Sequence, residues 1–272
     1  MNKNIKTYLN SFKPKKNHLI SIAIDIIFLL IIIGVLFFSS KAIESNALEL
    51  MQGQDTSADL EKFLVTASEE QLESYANLIQ HFVIYSILGI VAFLAFTLIF
   101  YSFSRCLLWN TLLNKKFNKK RFWKWNSLNI ILLVIFLVYL FVVLLIKLIL
   151  VGLVGLINNP NIVSIFDSLL TLLFTLIWLT MVFLTYKYFT EEYQVFKAIR
   201  KSFQALKGKW SQFGMIYLFS LLTGIVLAVI LYPLTLKFQY QQNILTIVSV
   251  IVGFIFLAWF RIYLLKAMES KT

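Results

Sequence analysis

Four ionisable side chains lie inside long apolar runs of this 272-residue chain, where a charge is energetically costly. Asp25 lies about two helical turns into the first run and Arg261 about one turn before the end of the last, so the two have similar depth. Lys147 and Asp167 flank the turn between the third and fourth runs. A charge at the centre of a bilayer costs about 2.5–3.5 kcal/mol, so such residues either pair with each other or form a proton or ion pathway. We favour two structural pairs and keep the pathway as the alternative.

A stripe of polar side chains follows the fourth run at helical spacing. Ser164, Asp167, Ser168, Thr171 and Thr175 are three or four residues apart and share one face of a helix. A transporter could line its path with these groups. Small hydroxyl residues also pack helices together in lipid, and packing is the simpler interpretation.

Signatures of enzymes and metal sites are missing from the sequence. The two histidines, His18 and His81, fall on opposite sides of the predicted membrane, and Cys106 is the single cysteine. There is no Gly-x-Ser-x-Gly elbow, phosphate-binding loop or dinucleotide fingerprint. Glu191-Glu192 resembles the start of the CAAX-type intramembrane protease motif, but Phe196 stands where that motif has arginine. We therefore predict no catalytic residue, metal or cofactor, and expect a protein that is not an enzyme.

The composition places the chain among membrane proteins. It is 60% hydrophobic and 14% charged, whereas soluble domains are about 45–50% apolar and about 25% charged. A bilayer core of about 30 Å needs roughly 20 apolar residues of helix. Six segments qualify, and we predict one all-α transmembrane domain over 1–272, with three helical hairpins. The spans are 19–38, 82–103, 128–157, 162–186, 213–236 and 244–265.

The connections between spans differ in charge, which predicts their side of the membrane. The formal charge of +12 collects before the first span, between spans two and three, and between spans four and five. Residues 39–81 instead contain eight acids and two lysines, and the 158–161 turn and last outer loop are almost free of cations. Positive charge on the inside predicts a multi-pass cell-membrane protein with both termini in the cytoplasm. It also explains the basic composition without nucleic acid.

Two cytoplasmic stretches are predicted to be interfacial amphipathic helices. In 191–210, the apolar residues Phe196, Ile199, Phe203, Leu206 and Trp210 recur at helical spacing with cations on other faces. In 107–125, an apolar part precedes a basic cluster. Their similar ends, Lys-Trp-Asn-Ser and Lys-Trp-Ser-Gln, suggest an internal repeat, with chance as the alternative. The predicted contacts to anionic lipid are Lys115, Lys116, Lys119, Lys120, Arg121, Lys197, Arg200, Lys201 and Lys207.

The outer segment 39–81 is predicted to be helical. Ser68-Glu69-Glu70-Gln71 has the pattern of a capping box, and the helix it starts should continue into the second span. A shorter helix is expected around 59–66. The segment either caps an outer cavity or forms a solvated amphipathic hairpin.

The run Phe196-Lys197-Ala198-Ile199-Arg200-Lys201-Ser202-Phe203, with Lys207-Gly208 and the six-span layout, resembles a broad prokaryotic membrane-protein family. That family includes YciC-like proteins and the membrane domain of some glycerophosphodiester phosphodiesterases. The resemblance implies an accessory or lipid-associated role and supplies no catalytic residue.

These observations favour a non-enzymatic, membrane-organising or lipid-associated protein. A small-solute or ion transporter using the polar stripe is the first alternative, and a lipid-modifying enzyme using Asp25 or Asp167 is the second. The expected partners are the bilayer and anionic headgroups, and other membrane proteins or a second copy of the chain stay open.

Overall fold

The computed structural model describes residues 3–13, 15–51, 57–157, 159–237 and 241–269. Within them the chain forms helices and no strand, so the all-α prediction is confirmed for this part. The helices are α1 (Lys3–Ser11), α2 (Lys16–Met51), α3 (Ser57–Thr66), α4 (Glu69–Leu112), α5 (Lys119–Gly155), α6 (Pro160–Glu192), α7 (Val195–Gly208), α8 (Trp210–Lys237) and α9 (Gln242–Glu269).

Six of these helices, α2, α4, α5, α6, α8 and α9, are long and apolar enough to cross a membrane. Five of the predicted spans lie wholly inside one of them, and the third, 128–157, passes the end of α5 at Gly155. The helices also contain turns beyond the predicted spans. These additional turns are polar or mixed in sequence, which is why a search for apolar runs alone does not find them.

Local signals explain where α6 begins and ends. Asn159 precedes Pro160 and its side-chain oxygen accepts hydrogen bonds from the amides of Asn161 (3.1 Å) and Ile162 (3.3 Å). The helix ends at Tyr193, whose φ of 55° is left-handed and whose N–H donates to the Phe189 carbonyl. Asn158, part of the turn predicted at 158–161, lies outside the described residues.

The chain divides into two compact units, and the smaller one is Ile26–Tyr101. The predicted capping box at the start of α4 is present, because Ser68 N–H donates to Gln71 Oε1 (2.9 Å) and Gln71 N–H donates to Ser68 Oγ (3.4 Å). The expected short helix is α3, and α4 continues into the second predicted span. Residues 52–56 of the predicted outer segment lie outside the described part.

The larger unit consists of Met1–Asp25 and Ser102–Thr272. In it, α6 packs against α5, α7 and α8, while α9 packs against α1 and α8. Its core is rich in fully buried aromatic rings, among them Trp109, Trp125, Phe189, Phe213 and Phe260. The core therefore lies where the basic segments join the helices, whereas the middle of the long helices exposes apolar side chains, as expected of surfaces that face lipid.

The structure corrects one predicted element and adds another. Residues 107–125 do not form a separate amphipathic helix: 107–112 are the end of α4, a turn follows, and α5 starts at Lys119. The apolar side chains Leu108 and Trp109 are fully buried in the protein. The added element is α1, which the pattern of apolar runs and charges does not predict.

Candidate functional site

The carboxylate of Asp25 lies between two arginines contributed by different helices. Its Oδ2 is 2.9 Å from a terminal nitrogen of Arg261 on α9, and its Oδ1 accepts a hydrogen bond from Arg105 on α4. All three side chains are buried, and Ser21 and Ser104 lie within hydrogen-bond distance of the guanidinium groups. The expected contact between Asp25 and Arg261 is present, but the arrangement is a triad rather than a pair.

The charge of this triad favours a structural role. Two guanidinium groups that face the two oxygens of one carboxylate hold it in one position through charge-assisted hydrogen bonds. The triad ties together α2, α4 and α9, so it fixes three helices at one level of the larger unit. Sequence reasoning misses Arg105 because this residue stands beside the loop cations, although it lies two turns inside α4.

The second expected contact is also present. Lys147 Nζ is 2.7 Å from Asp167 Oδ1 and 2.7 Å from the Thr171 hydroxyl. This pair is less buried than the triad, with 42% of the Asp167 side chain exposed. The pair connects α5 to α6.

The polar stripe of α6 is bonded mainly to its own helix. Ser168, Thr171 and Thr175 donate to the carbonyls of the residues four positions earlier, at 2.7–2.9 Å. Ser164, Ser168, Thr171 and Thr175 are exposed. Within the described residues, the stripe is an open helix face and not the wall of an enclosed path.

A buried polar network joins α4, α5 and α6 near the aromatic core. Asn129 donates to Ser102 Oγ (2.8 Å), and the Tyr186 hydroxyl donates to Asn129 Oδ1 (2.7 Å). Satisfied polar groups of this kind fix the relative positions of helices. The sequence signal for this network is an asparagine, Asn129, which follows Trp125 by four residues at the start of an apolar run.

The helix α7 has three distinct faces. Ala198 and Ser202 are buried against the protein, and the Thr185 hydroxyl on α6 donates a hydrogen bond to Ser202 Oγ (2.8 Å). Phe196 and Phe203, two turns apart on one edge, are exposed by 77% and 50%. The predicted aromatic face is thus divided, because Ile199 and Leu206 pack against the core while the two phenylalanines point away from it.

Cations occupy the remaining face of α7, and two of them are paired. Glu192, at the end of α6, forms ion pairs with Lys197 (2.8 Å) and Lys201. The hydrogen bond to Glu192 raises the pKa of the Lys201 ammonium. Arg200 and Lys207 are exposed beside the phenylalanine edge. The α7 surface, defined as Phe196, Phe203, Arg200 and Lys207, combines apolar and cationic groups open to the surroundings.

The basic cluster after α4 is partly used within the protein. Lys115 donates to the carbonyls of Thr190 (2.9 Å) and Glu191, which stabilises the carboxyl end of α6. The Arg121 guanidinium lies 4.3 Å from the centre of the Tyr193 ring. These two predicted lipid contacts therefore have partners in the chain, whereas Lys116 and Lys119 are exposed. The side chain of Lys120 lies outside the described part.

The amino-terminal helix α1 is held against α8 and α9. The hydroxyls of Tyr8 and Thr223 are 2.9 Å apart, and the Trp259 indole donates to Ser11 Oγ (2.9 Å). The Tyr8 ring also stacks on Phe219, with centroids 4.7 Å apart. These contacts fix α1 within the larger unit, which also contains α7.

The outward side of α1 is amphipathic. Ile5 and Leu9, four residues apart, are exposed beside the exposed Lys6, and Phe12 and Lys13, just after the end of α1, are exposed as well. The spacing is visible in the sequence, but lysines before a first span are also the usual topology signal, so they do not by themselves predict a helix. Exposed apolar and cationic side chains thus lie next to each other on both α1 and α7.

No group of three or more metal-binding side chains exists among the described residues. Comparison of the chain with protein-family models, with curated proteins and with solved structures finds no match.

Proposed function

We propose that this chain is a non-enzymatic, multi-pass protein of the cell membrane that binds anionic lipid at its cytoplasmic face and organises the lipid there. The supporting observation is the α7 surface, in which exposed Phe196 and Phe203 lie beside exposed Arg200 and Lys207. An aromatic edge inserts among headgroups and acyl chains, while cations attract acidic headgroups. The exposed face of α1 adds a second element of the same chemistry.

The proposed topology has six spans in three hairpins with both termini in the cytoplasm. The six apolar helices supply the spans, and the excess of cations in the connections supplies the orientation. The resemblance to YciC-like proteins and to the membrane domain of glycerophosphodiester phosphodiesterases agrees with a lipid-associated role.

Cysteine labelling tests the orientation. In a Cys106→Ala background, we expect an impermeant maleimide to label Lys62→Cys in intact cells and Lys116→Cys only after permeabilisation. Both positions are exposed in the protein, so access depends on the side of the membrane. The reverse labelling pattern would overturn the orientation.

Lipid selectivity tests the function. We expect Arg200→Gln with Lys207→Gln to reduce the preference of the full chain for phosphatidylglycerol over phosphatidylcholine, measured with spin-labelled lipids in reconstituted bilayers. Each cation near an anionic surface contributes about 1 kcal/mol, so the double change should lower selectivity by roughly 30-fold at low salt.

The matched control for this experiment is Lys41→Gln with Lys62→Gln, which removes the same charge from the predicted outer side. We expect its selectivity to equal that of the unchanged protein. High salt should weaken selectivity in both the control and the unchanged protein, because exposed charges are screened. An equal loss in the two double variants would show that net charge, and not the α7 surface, determines binding.

The alternatives have less support in the geometry. For transport, Ser168, Thr171 and Thr175 lie on an exposed helix face and do not line an enclosed path in the described part of the chain. For a lipid-modifying enzyme, Asp25 and Asp167 are both paired with cations. Association with a second copy or another membrane protein is compatible with the proposed role.

A further inference from the structure

A cavity of about 340 Å³ lies between α2 and α4 in the unit Ile26–Tyr101. Its volume falls in the range of small-molecule sites, about 300–1,000 Å³. It has room for roughly ten groups the size of a water molecule. The motifs identified in the sequence do not contain the residues that line it.

The polar and apolar lining residues are separated along the helices. Ser39 and Ser40 on α2 and Tyr85 and Ser86 on α4 lie towards the helix ends that join the outer segment. Leu36 and Phe93 lie deeper, and Ala42 and Ile43 form an apolar outer rim on α2. On α2 the apolar run stops at Phe38, so Ser39 marks the boundary of the predicted hydrocarbon region. The cavity therefore has hydroxyl groups near the predicted membrane surface and hydrocarbon side chains deeper in the predicted span. It is open to the surroundings, since Leu36 and Tyr85 are 49% and 63% exposed.

The lining residues carry no charge, although charged groups are close in sequence. The ion pair of Lys41 and Glu44 (2.7 Å) is exposed and does not line the cavity. A phosphate headgroup would thus meet hydroxyls but no cation, so the lining supplies none of the charge-assisted hydrogen bonds that favour an anionic head. An uncharged head that donates and accepts hydrogen bonds fits the serine and tyrosine hydroxyls.

From this gradient we infer that the cavity between α2 and α4 binds an uncharged, hydroxyl-bearing lipid of the diacylglycerol type, with its head at Ser39, Tyr85 and Ser86. The acyl part lies along Leu36 and Phe93, where six-span insertion places the hydrocarbon of the bilayer. The inference rests on the proposed membrane insertion and is independent of anionic-lipid binding by α7.

Photolabelling of the full chain tests the site. In phosphatidylcholine nanodiscs, a photoactivatable diacylglycerol should attach to peptides containing residues 36–43 and 85–93, and excess unlabelled diacylglycerol should reduce this labelling. Adducts spread evenly over all six spans would overturn the inference while leaving membrane insertion intact.

Two glycines provide a matched pair of variants. A Cβ added to Gly89, which lines the cavity, meets no atom within 4 Å, and the same holds for Gly34, which does not line it. Gly89→Phe should fill the cavity and lower labelling by about tenfold, whereas Gly34→Phe should leave it unchanged. Equal labelling of the two variants would contradict the site.

The head group has its own test. A photoactivatable phosphatidylglycerol should label these peptides much less than the diacylglycerol probe does, because the lining offers no cation. Equal labelling by both probes would overturn the assignment of an uncharged head. Spin-label selectivity at α7 is a separate measurement, so failure of one proposal is distinguishable from failure of the other.

Discussion

Asp25→Leu is expected to destabilise the protein more than any other single change in the charged triad. It leaves two buried guanidinium groups, Arg105 and Arg261, beside a leucine. Removing one partner from a buried ion pair costs about 3–5 kcal/mol. In detergent, the midpoint of thermal unfolding should fall by about 10 °C.

Loss of either arginine should cost less. Arg105→Met or Arg261→Met keeps the apolar stem and leaves Asp25 opposite one remaining guanidinium group, so a buried carboxylate is not left alone. Asp167→Leu is the control, because its ion pair with Lys147 is more exposed and should contribute less. If Asp25→Leu is no worse than Arg105→Met, Asp25 is not the centre of the triad.

The double change Asp25→Leu with Arg261→Met separates a triad from a pair. In a simple pair, replacing both partners by apolar residues is nearly neutral. Here Arg105 would stay buried beside the introduced leucine, so only part of the lost stability should return. Adding Arg105→Met should restore more. Full recovery in the double variant would show that Arg105 does not depend on Asp25.

The position of a charged residue within an apolar run predicts the contact between Asp25 and Arg261 but not the third member of the triad. Asp25 and Arg261 could be matched because each stood out in an apolar run and lay at a similar distance from a basic end. Arg105 follows the end of the predicted second span, 82–103, so composition places it in a loop. The helix continues to Leu112, and only the three-dimensional structure shows that its final turns are inside the protein.

Amphipathic spacing has the same limit. It predicts that one face of a helix is apolar, but not whether that face contacts lipid or protein. In α7 the two cases occur together, since Phe196 is exposed while Ile199 packs on the core. In 107–112 the apolar side packs on protein, with Leu108 and Trp109 fully buried. The six long helices, by contrast, were predictable because roughly 20 consecutive apolar residues have few other structural solutions.

The tryptophans near the start of α5 give the second large expected effect. Trp125→Ala should lower the free energy of unfolding by about 3–5 kcal/mol, as is typical for deleting a large buried side chain. Trp125 is fully buried, with its ring centre 5.0 Å from that of Phe189 and 5.4 Å from that of Tyr186. Chemical denaturation followed by the CD signal of the helices measures the change.

Trp123→Ala is the matched control, because it removes the same side chain two residues away. Trp123 is 67% exposed, and we expect a change within about 0.5 kcal/mol.

The comparison also tests the suggested internal repeat, in which Trp125 corresponds to Trp210. Trp210 is exposed to the same extent as Trp123, so its replacement by alanine should be similarly mild. If Trp125→Ala were as mild as Trp210→Ala, both tryptophans would behave as interfacial side chains, and the buried aromatic rings would not be what stabilises the larger unit. A large loss at Trp125 alone would instead show that similar sequences at the two junctions occupy different environments, one inside the helix bundle and one at its surface.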